Sequence, residues 1–397
     1  MNALSSVVLL MVVTQSMGVY MGGVFAIAFA VAQQFLVLGH FEIRPYQATD
    51  VQENFSFGIY YAARITTCIL MFVCIVGYTI FSNGFTHDGL LLLLVASLKF
   101  FDAFEDVFHG MFQQHGRLDI AGKAFFFRVL VTTVVFVAIA FIFKDLAVVC
   151  ITTFVASLVA MVFLNIPKAK DFVPIKPVFQ WKKIKNLIIT CLPLFIGSFL
   201  LAYIVNAPRY GIETCLPKEA QAIYAALFMP AMVINLLSGF IFKPLLTTLA
   251  EYWNADKISH FNGVIGKGVA VVLGVSLACF IGAFFVGIPI LSWFYGVDLV
   301  GYRPELMVLL VGGACNAVGI IFYYALVTMR CQRVLVVGYG CAAIIAFLIN
   351  GFMVQNQGIM GAAITYDATM AVLAFVFLGF VLYYLPRSNK VKSVEGK

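Results

Sequence analysis

Between Lys99 and His109 a long apolar run carries Lys99, Asp102, Glu105, Asp106 and His109, with Gln113 one turn further on. At 100° per residue these side chains share about one third of a helix surface, while Phe100, Phe101, Phe104, Val107, Phe108, Met111 and Phe112 cover the opposite side. Acids and a base at this spacing can hold a charged ligand, accept a coupling ion, or pair with one another. Placed at a bilayer centre, each ionised group costs roughly 2.5–3.5 kcal/mol, so the stripe must face a wet cavity or a partner helix.

Four further charges lie in apolar surroundings. Arg64 follows Tyr60 and Tyr61 by one turn, and Arg128 sits two turns into another apolar run. Arg209 occurs in Asn206-Ala-Pro-Arg-Tyr-Gly211, and Asp367 follows Tyr366. Arg64, Lys99, Arg128 and Arg209 are the candidates for a cationic cavity, since a guanidinium fork pairs bidentately with phosphate oxygens. Asp102, Glu105, Asp106 and Asp367 are the candidates for coupling or gating. The alternative is internal neutralisation: Lys99 with Asp102, and Arg64 or Arg128 with Glu105 or Asp106. Lys99 and Asp102 are expected deep in the membrane. Glu105, Asp106 and His109 are expected near the cytoplasmic mouth, with Glu105 closer to water than Asp102.

The elements that must position these residues are membrane-spanning helices. The 397 residues are 63% hydrophobic and 11% charged, with a mean hydropathy of +1.02, against about 25% charged residues in soluble domains. Apolar runs long enough to span appear at about 3–18, 19–40, 57–82, 88–112, 121–143 and 145–166, then at 186–206, 219–246, 261–288, 305–329, 333–354 and 358–385. The expected fold is all-α and polytopic: twelve helices in two six-helix bundles. Lobes are expected at 1–166 and 186–385, joined by a basic linker at 167–185 and followed by a basic tail at 386–397. Starting with the amino terminus inside, the inner connections hold 19 of the 25 Lys and Arg and the outer ones 4. That loop-by-loop bias predicts both termini in the cytoplasm. Two short echoes, Ile43–Thr49 with Phe242–Thr248 and Arg117–Gly122 with Arg333–Gly338, fall at equivalent places in the two sets and suggest parallel repeats.

Several function classes drop out. The nine Cys are scattered without CxxC, and the five His show no ligand spacing, so neither a disulfide frame nor a metal site is expected. No nucleotide-binding motif occurs, and no ATP-driven step on this chain is expected. The net charge of +7 follows from membrane orientation, not from a nucleic-acid partner. Outward connections are short, which disfavours a membrane-embedded glycan polymerase or ligase.

Certain runs carry a family likeness. Phe41-Glu-Ile-Arg-Pro-Tyr-Gln-Ala-Thr-Asp50, Tyr60-x-x-x-Arg64, Asp106-Val-x-x-Gly110-x-x-Gln113-x-x-Gly116-Arg117-Leu-Asp119, Asn206-Ala-Pro-Arg-Tyr210 and Phe228-Met-Pro230 through Phe242-Lys-Pro244 together resemble the polysaccharide flippases of the multidrug/oligosaccharidyl-lipid/polysaccharide exporter superfamily. The resemblance implies a two-lobed, alternating-access transporter in the bacterial plasma membrane. Its substrate would be an undecaprenyl-diphosphate-linked oligosaccharide, with Arg64 and Lys99 placed to engage the diphosphate. It implies no enzyme activity and no cofactor, leaves a coupling ion (H+ or Na+) open, and brings in membrane lipid and other polysaccharide-assembly proteins as partners. A cation-coupled multidrug antiporter of the same superfamily is the nearest alternative. Met1 falls almost inside the family's first helix, so a truncated first helix is expected.

Overall fold

The computed structural model describes the backbone of residues 2–50, 53–242 and 245–395, and the side chains of 5–50, 53–242, 245–246, 248–331 and 334–385. Every regular element among them is helical. Two compact units divide at Ala202/Tyr203. That division falls within a helix, whereas the expected lobe boundary is the linker at 167–185.

The first unit contains α1 (Asn2–Met17), α2 (Val19–His40), the short α3 (Ile43–Thr49), α4 (Phe57–Asn83), α5 (His87–Ser97), α6 (Phe100–Gln114), α7 (Leu118–Phe143), α8 (Leu146–Ala169) and the first part of α9 (Trp181–Cys215). Local chemistry explains the boundaries. The Thr86 hydroxyl accepts from the Gly89 N–H at the start of α5, and Asp145 accepts from Ala147 and Val148 at the start of α8. Gly84 ends α4 at φ 62°, a conformation that favours glycine.

The expected fourth span, 88–112, is not one helix. At Leu98 and Lys99 the N–H groups reach back three residues, to Val95 and Ala96 at 3.2 Å each, and the chain restarts as α6. Lys99 therefore sits at a helix junction, not inside a continuous span. α6 is the central element: α2, α3, α4, α7 and α8 all pack on it. Phe108, Met111 and Phe112 fill a core with Tyr60, Ile184 and Leu187. α8 runs through Pro167, so the non-helical linker is shorter than the expected 167–185. The linker is tied to α4 by the Val178 N–H, which donates to the Gly58 carbonyl at 2.9 Å.

The second unit contains the remainder of α9, then α10 (Lys218–Phe242), α11 (Leu245–Asn254), α12 (Ile258–Gly282), a π-turn at Ala283–Gly287, α13 (Ile288–Tyr295), α14 (Arg303–Thr328) and α15 (Gln332–Glu395). α14 is its centre, packed by α10, α12 and α15. α15 breaks at Gly358 (φ 61°), which makes it two spans. The expected ninth span of 261–288 continues to Tyr295 through the π-turn, with Pro289 at the start of α13. Pro193 and Pro230 lie within continuous helices. Lys243, Pro244 and Lys397 lie outside the described residues, as do the side chains of Arg333, Arg387, Lys390 and Lys392.

Nine helices among the described residues are long and apolar enough to cross a membrane. Ser5–Met17 is a shorter apolar helix, the α5–α6 pair is interrupted, and Val334–Leu385 contains two spans, which accounts for the expected twelve. The protein is an all-α, multi-pass membrane protein.

Candidate functional site

In the first unit the helices gather the charges of the Lys99–His109 stripe with Arg64 and Arg128 into a buried network of two linked groups. In one, Arg64 of α4 is fully buried. It donates from Nη2 to Asp106 at 2.7 Å and from Nη1 to the Gly39 carbonyl at 2.5 Å. That carbonyl also accepts from the Thr67 hydroxyl at 2.8 Å. Arg44 of α3 donates to the other Asp106 oxygen at 3.2 Å and to Gln113 at 3.3 Å. In the second group, Arg128 of α7 donates through Nε to Glu105 at 2.7 Å and through Nη2 to both Glu105 (2.6 Å) and Asp102 (2.5 Å). Its Nη1 donates to Ser157 of α8 at 3.1 Å. Lys99 completes the set, bonding Asp102 at 2.7 Å and lying 5.0 Å from the centre of the Phe29 ring.

The close approach that makes this possible rests on Gly39. A Cβ there would meet the Ala103 Cβ and the Met71 Sδ at 2.7 Å, so only glycine lets α2 present its carbonyl to α4 while touching α6. Gly110 plays the same part for α3, its Cα lying against the Gln47 amide, whose Nε2 donates to the Val107 carbonyl at 3.2 Å.

Two expectations need correction. Glu105 is 1% exposed and does not lie near water; Arg128 holds both of its oxygens. Asp106 and His109 are also buried and do not line an open mouth. The sequence wheel placed these residues correctly around α6, but it carried no information on how deeply α7 and α8 cover that face. Four cations (Arg44, Arg64, Lys99 and Arg128) thus face three carboxylates (Asp102, Glu105 and Asp106). Each carboxylate is held by at least one cation.

Residues not singled out from sequence complete the site. Ser157 and Asn165, the latter 3.5 Å from Glu105, come from α8, and nothing in their spacing marks them. Asp50 organises the Phe41–Asp50 motif. It accepts from the Tyr60 hydroxyl (2.7 Å), the Asn54 N–H (2.9 Å) and the Phe55 N–H (3.1 Å), while its own carbonyl accepts from Gln114. Burial pushes the Asp50 carboxyl up, but the bonds from Tyr60, Asn54 and Phe55 together outweigh it and hold the pKa below the ordinary carboxylate value. The motif therefore clamps α3 and the chain after it onto α4 and α6. A separate surface cavity of about 490 Å³ opens beside α7 and α8, lined by Arg117, Lys123 and Lys168 above Phe127 and Leu164.

The second unit holds the other two candidates. Asp367 of α15 keeps one buried carboxylate oxygen without a hydrogen-bond partner among the described residues and lies against Gly312 of α14. Arg209 of α9 lies over the Phe228 ring at 5.7 Å and forms no ion pair among the described residues.

No protein-family model matches the sequence. Over 320 residues, covering 79% of this chain and 78% of the relative, the chain is 21% identical to the capsular polysaccharide biosynthesis protein CapF of Staphylococcus aureus. Among solved structures it is similar to a multidrug resistance MATE family transporter of the MOP superfamily in an inward-facing conformation. That likeness has a TM-score of 0.73 and 11% identity, over 98% of this chain and 96% of the other. It is also similar to the lipid II flippase MurJ in an inward closed conformation, with a TM-score of 0.71 and 12% identity over 95% and 85%. The chain has the fold of the MOP-superfamily transporters, the superfamily its motifs resemble.

Proposed function

We propose that the protein is a flippase that carries a polyprenyl-diphosphate-linked oligosaccharide across the bacterial plasma membrane by alternating access, and that it is not an enzyme. The observation that carries this reading is the cluster of three buried cations, Arg64, Lys99 and Arg128, with the partly exposed Arg44 beside them, gathered around α6 in the first unit of a MOP-type transporter fold. The likeness to a capsular polysaccharide biosynthesis protein and to a lipid II flippase supports the substrate class.

The physical task is to move a diphosphate and sugars through about 30 Å of hydrocarbon while the lipid tail stays in the bilayer. Lys99 shares Asp102 with Arg128, so Lys99 can turn to a phosphate oxygen without leaving Asp102 uncompensated. Arg64 can lend its guanidinium in the same way, because Arg44 keeps Asp106 neutralised. With the interior negative by 100 mV, each anionic charge moved outward gains about 2.3 kcal/mol, so the membrane potential itself favours export. Any H+ or Na+ coupling would use Asp102, Glu105, Asp106 or Asp367. The net cationic character of the network disfavours the alternative cargo, a cationic drug.

Deletion of the protein followed by a leaflet-resolved assay of lipid-linked oligosaccharide tests the reading. Accumulation in the inner leaflet is expected. Unchanged glycan export would overturn it, and accumulation of unpolymerised units in the outer leaflet would point to a polymerase or ligase.

A further inference from the structure

We propose that the second unit contains an oxyanion-binding site centred on Arg209, which takes a carboxylate or phosphate group. The proposal rests on the flippase reading only for which molecule brings that group. Arg209 lies in the last two turns of α9 and is half-buried. Its Nε is buried without a partner, and no carboxylate among the described residues pairs with its guanidinium. The nearby acid Glu213 pairs with Lys218 through Oε1, while its buried Oε2 has no hydrogen-bond partner among the described residues and forms no ion pair with Arg209. This contrasts with Arg64 and Arg128, each of which the first unit supplies with a carboxylate. A half-buried guanidinium beside an aromatic ring, with no ion-pair partner among the described residues, loses hydration on folding without a compensating charge. The arrangement becomes favourable when a ligand supplies the negative charge.

The surroundings are built for such a ligand. The Phe228 ring beneath Arg209 stacks on Tyr224 at 5.9 Å, and Tyr210 and Tyr295 are further tyrosines in the electrostatic surroundings of the guanidinium. Two of these residues, Tyr224 on α10 and Tyr295 at the end of α13, are 0% and 1% exposed, and their hydroxyls have no hydrogen-bond partner among the described residues. A planar fork, with unspent O–H groups on α10 and α13, supplies the donors that an oxygen anion needs. The frame is rigid. Gln221 donates to the Arg209 carbonyl at 2.7 Å, and Asn350 of α15 donates to the Ala207 carbonyl at 2.6 Å. Arg209, Tyr224 and Tyr295 all lie near the helix ends that the Lys/Arg bias assigns to the outside, the face from which an exported head group departs.

The test uses the purified full-length protein in nanodiscs. Thermal unfolding is followed against increasing sodium phosphate or sodium glucuronate, with matched sodium chloride and glucose as controls. At least one oxyanion is expected to raise the midpoint in a saturable manner. R209Q should weaken that response about tenfold or more, and Y224F and Y295F about threefold each. Without oxyanion, R209Q should unfold at a temperature no lower than the parent, because it removes an uncompensated charge. A response to glucuronate alone assigns the site to an acidic sugar, and one to phosphate alone assigns it to a phosphate. Absence of any oxyanion effect on the parent, an unchanged response in R209Q, or a lower unfolding temperature for R209Q would each overturn the site. If oxyanion binding holds while glycan export is unaffected by deletion of the protein, the site stands and the flippase reading falls.

Discussion

Arg128 is the residue on which the first unit's electrostatics turn, since its three nitrogens hold Asp102, Glu105 and Ser157 at once. Replacing it with Ala strands two buried carboxylates and is expected to cost about 3–5 kcal/mol. Membrane yield should fall, and the unfolding temperature of the purified protein should drop. Adding Glu105→Gln to Arg128→Ala should restore part of the loss, because one of the stranded charges is then gone. Lys99→Ala behaves differently. Asp102 keeps Arg128, so the variant should reach the membrane at normal levels yet lose export in the leaflet-resolved assay. Normal export would show that Lys99 does not touch the substrate. Because Glu105 is at least as deeply buried as Asp102, Glu105→Gln is expected to be no milder than Asp102→Asn. The participants were legible from residue type and helical angle. Their partners were not, because a wheel gives a direction from one axis and no distance to the next.

At the scale of elements, α6 is held by glycines that let other backbones approach it. Gly39→Val should push α2 off Ala103 and Met71 and tilt the carbonyl that receives Arg64 and Thr67. Over-packing of this kind costs about 1–3 kcal/mol, and the loss of aligned hydrogen bonds adds to it. The check is a lowered unfolding temperature together with lost export. The Phe41–Asp50 motif likewise owes its spacing to a clamp. Asp50→Ala leaves the Tyr60 hydroxyl and the N–H groups of Asn54 and Phe55 without their acceptor, for an expected loss of about 1–3 kcal/mol. Because the Asp50 pKa is lowered on folding, its contribution is complete above pH 3.8 and fades as acid takes the pH below that value. The motif was readable as a family mark, whereas its clamping role appears only once α3 is seen lying against α6. The helix break at Leu98–Lys99 was not readable, because nothing in Ala96-Ser-Leu-Lys99 is a helix breaker; packing, not propensity, decides it.

At the scale of the whole molecule, the alternating Lys/Arg bias makes a topological prediction. Cys215, exposed at the end of α9, should react with a membrane-impermeant maleimide on intact cells when it is the only cysteine left. A single cysteine placed at Lys390 should react only after the cells are opened. Labelling of the second and not the first would reverse the orientation and place the Arg209 site on the inner face.

Taken alone, the sequence determined that the chain crosses a membrane about twelve times, roughly where each span lies, and which side chains are too polar for lipid. These properties are local: hydropathy and helical angle are sums over neighbouring residues and need no knowledge of distant ones. Only the tertiary structure decided which charge meets which. It decided that Arg64 and Arg128 are each given a carboxylate while Arg209 lies over a phenylalanine ring and forms no ion pair among the described residues. Ion pairing depends on the few ångströms between helices far apart in sequence, and glycines such as Gly39 set those distances in ways that no periodicity records.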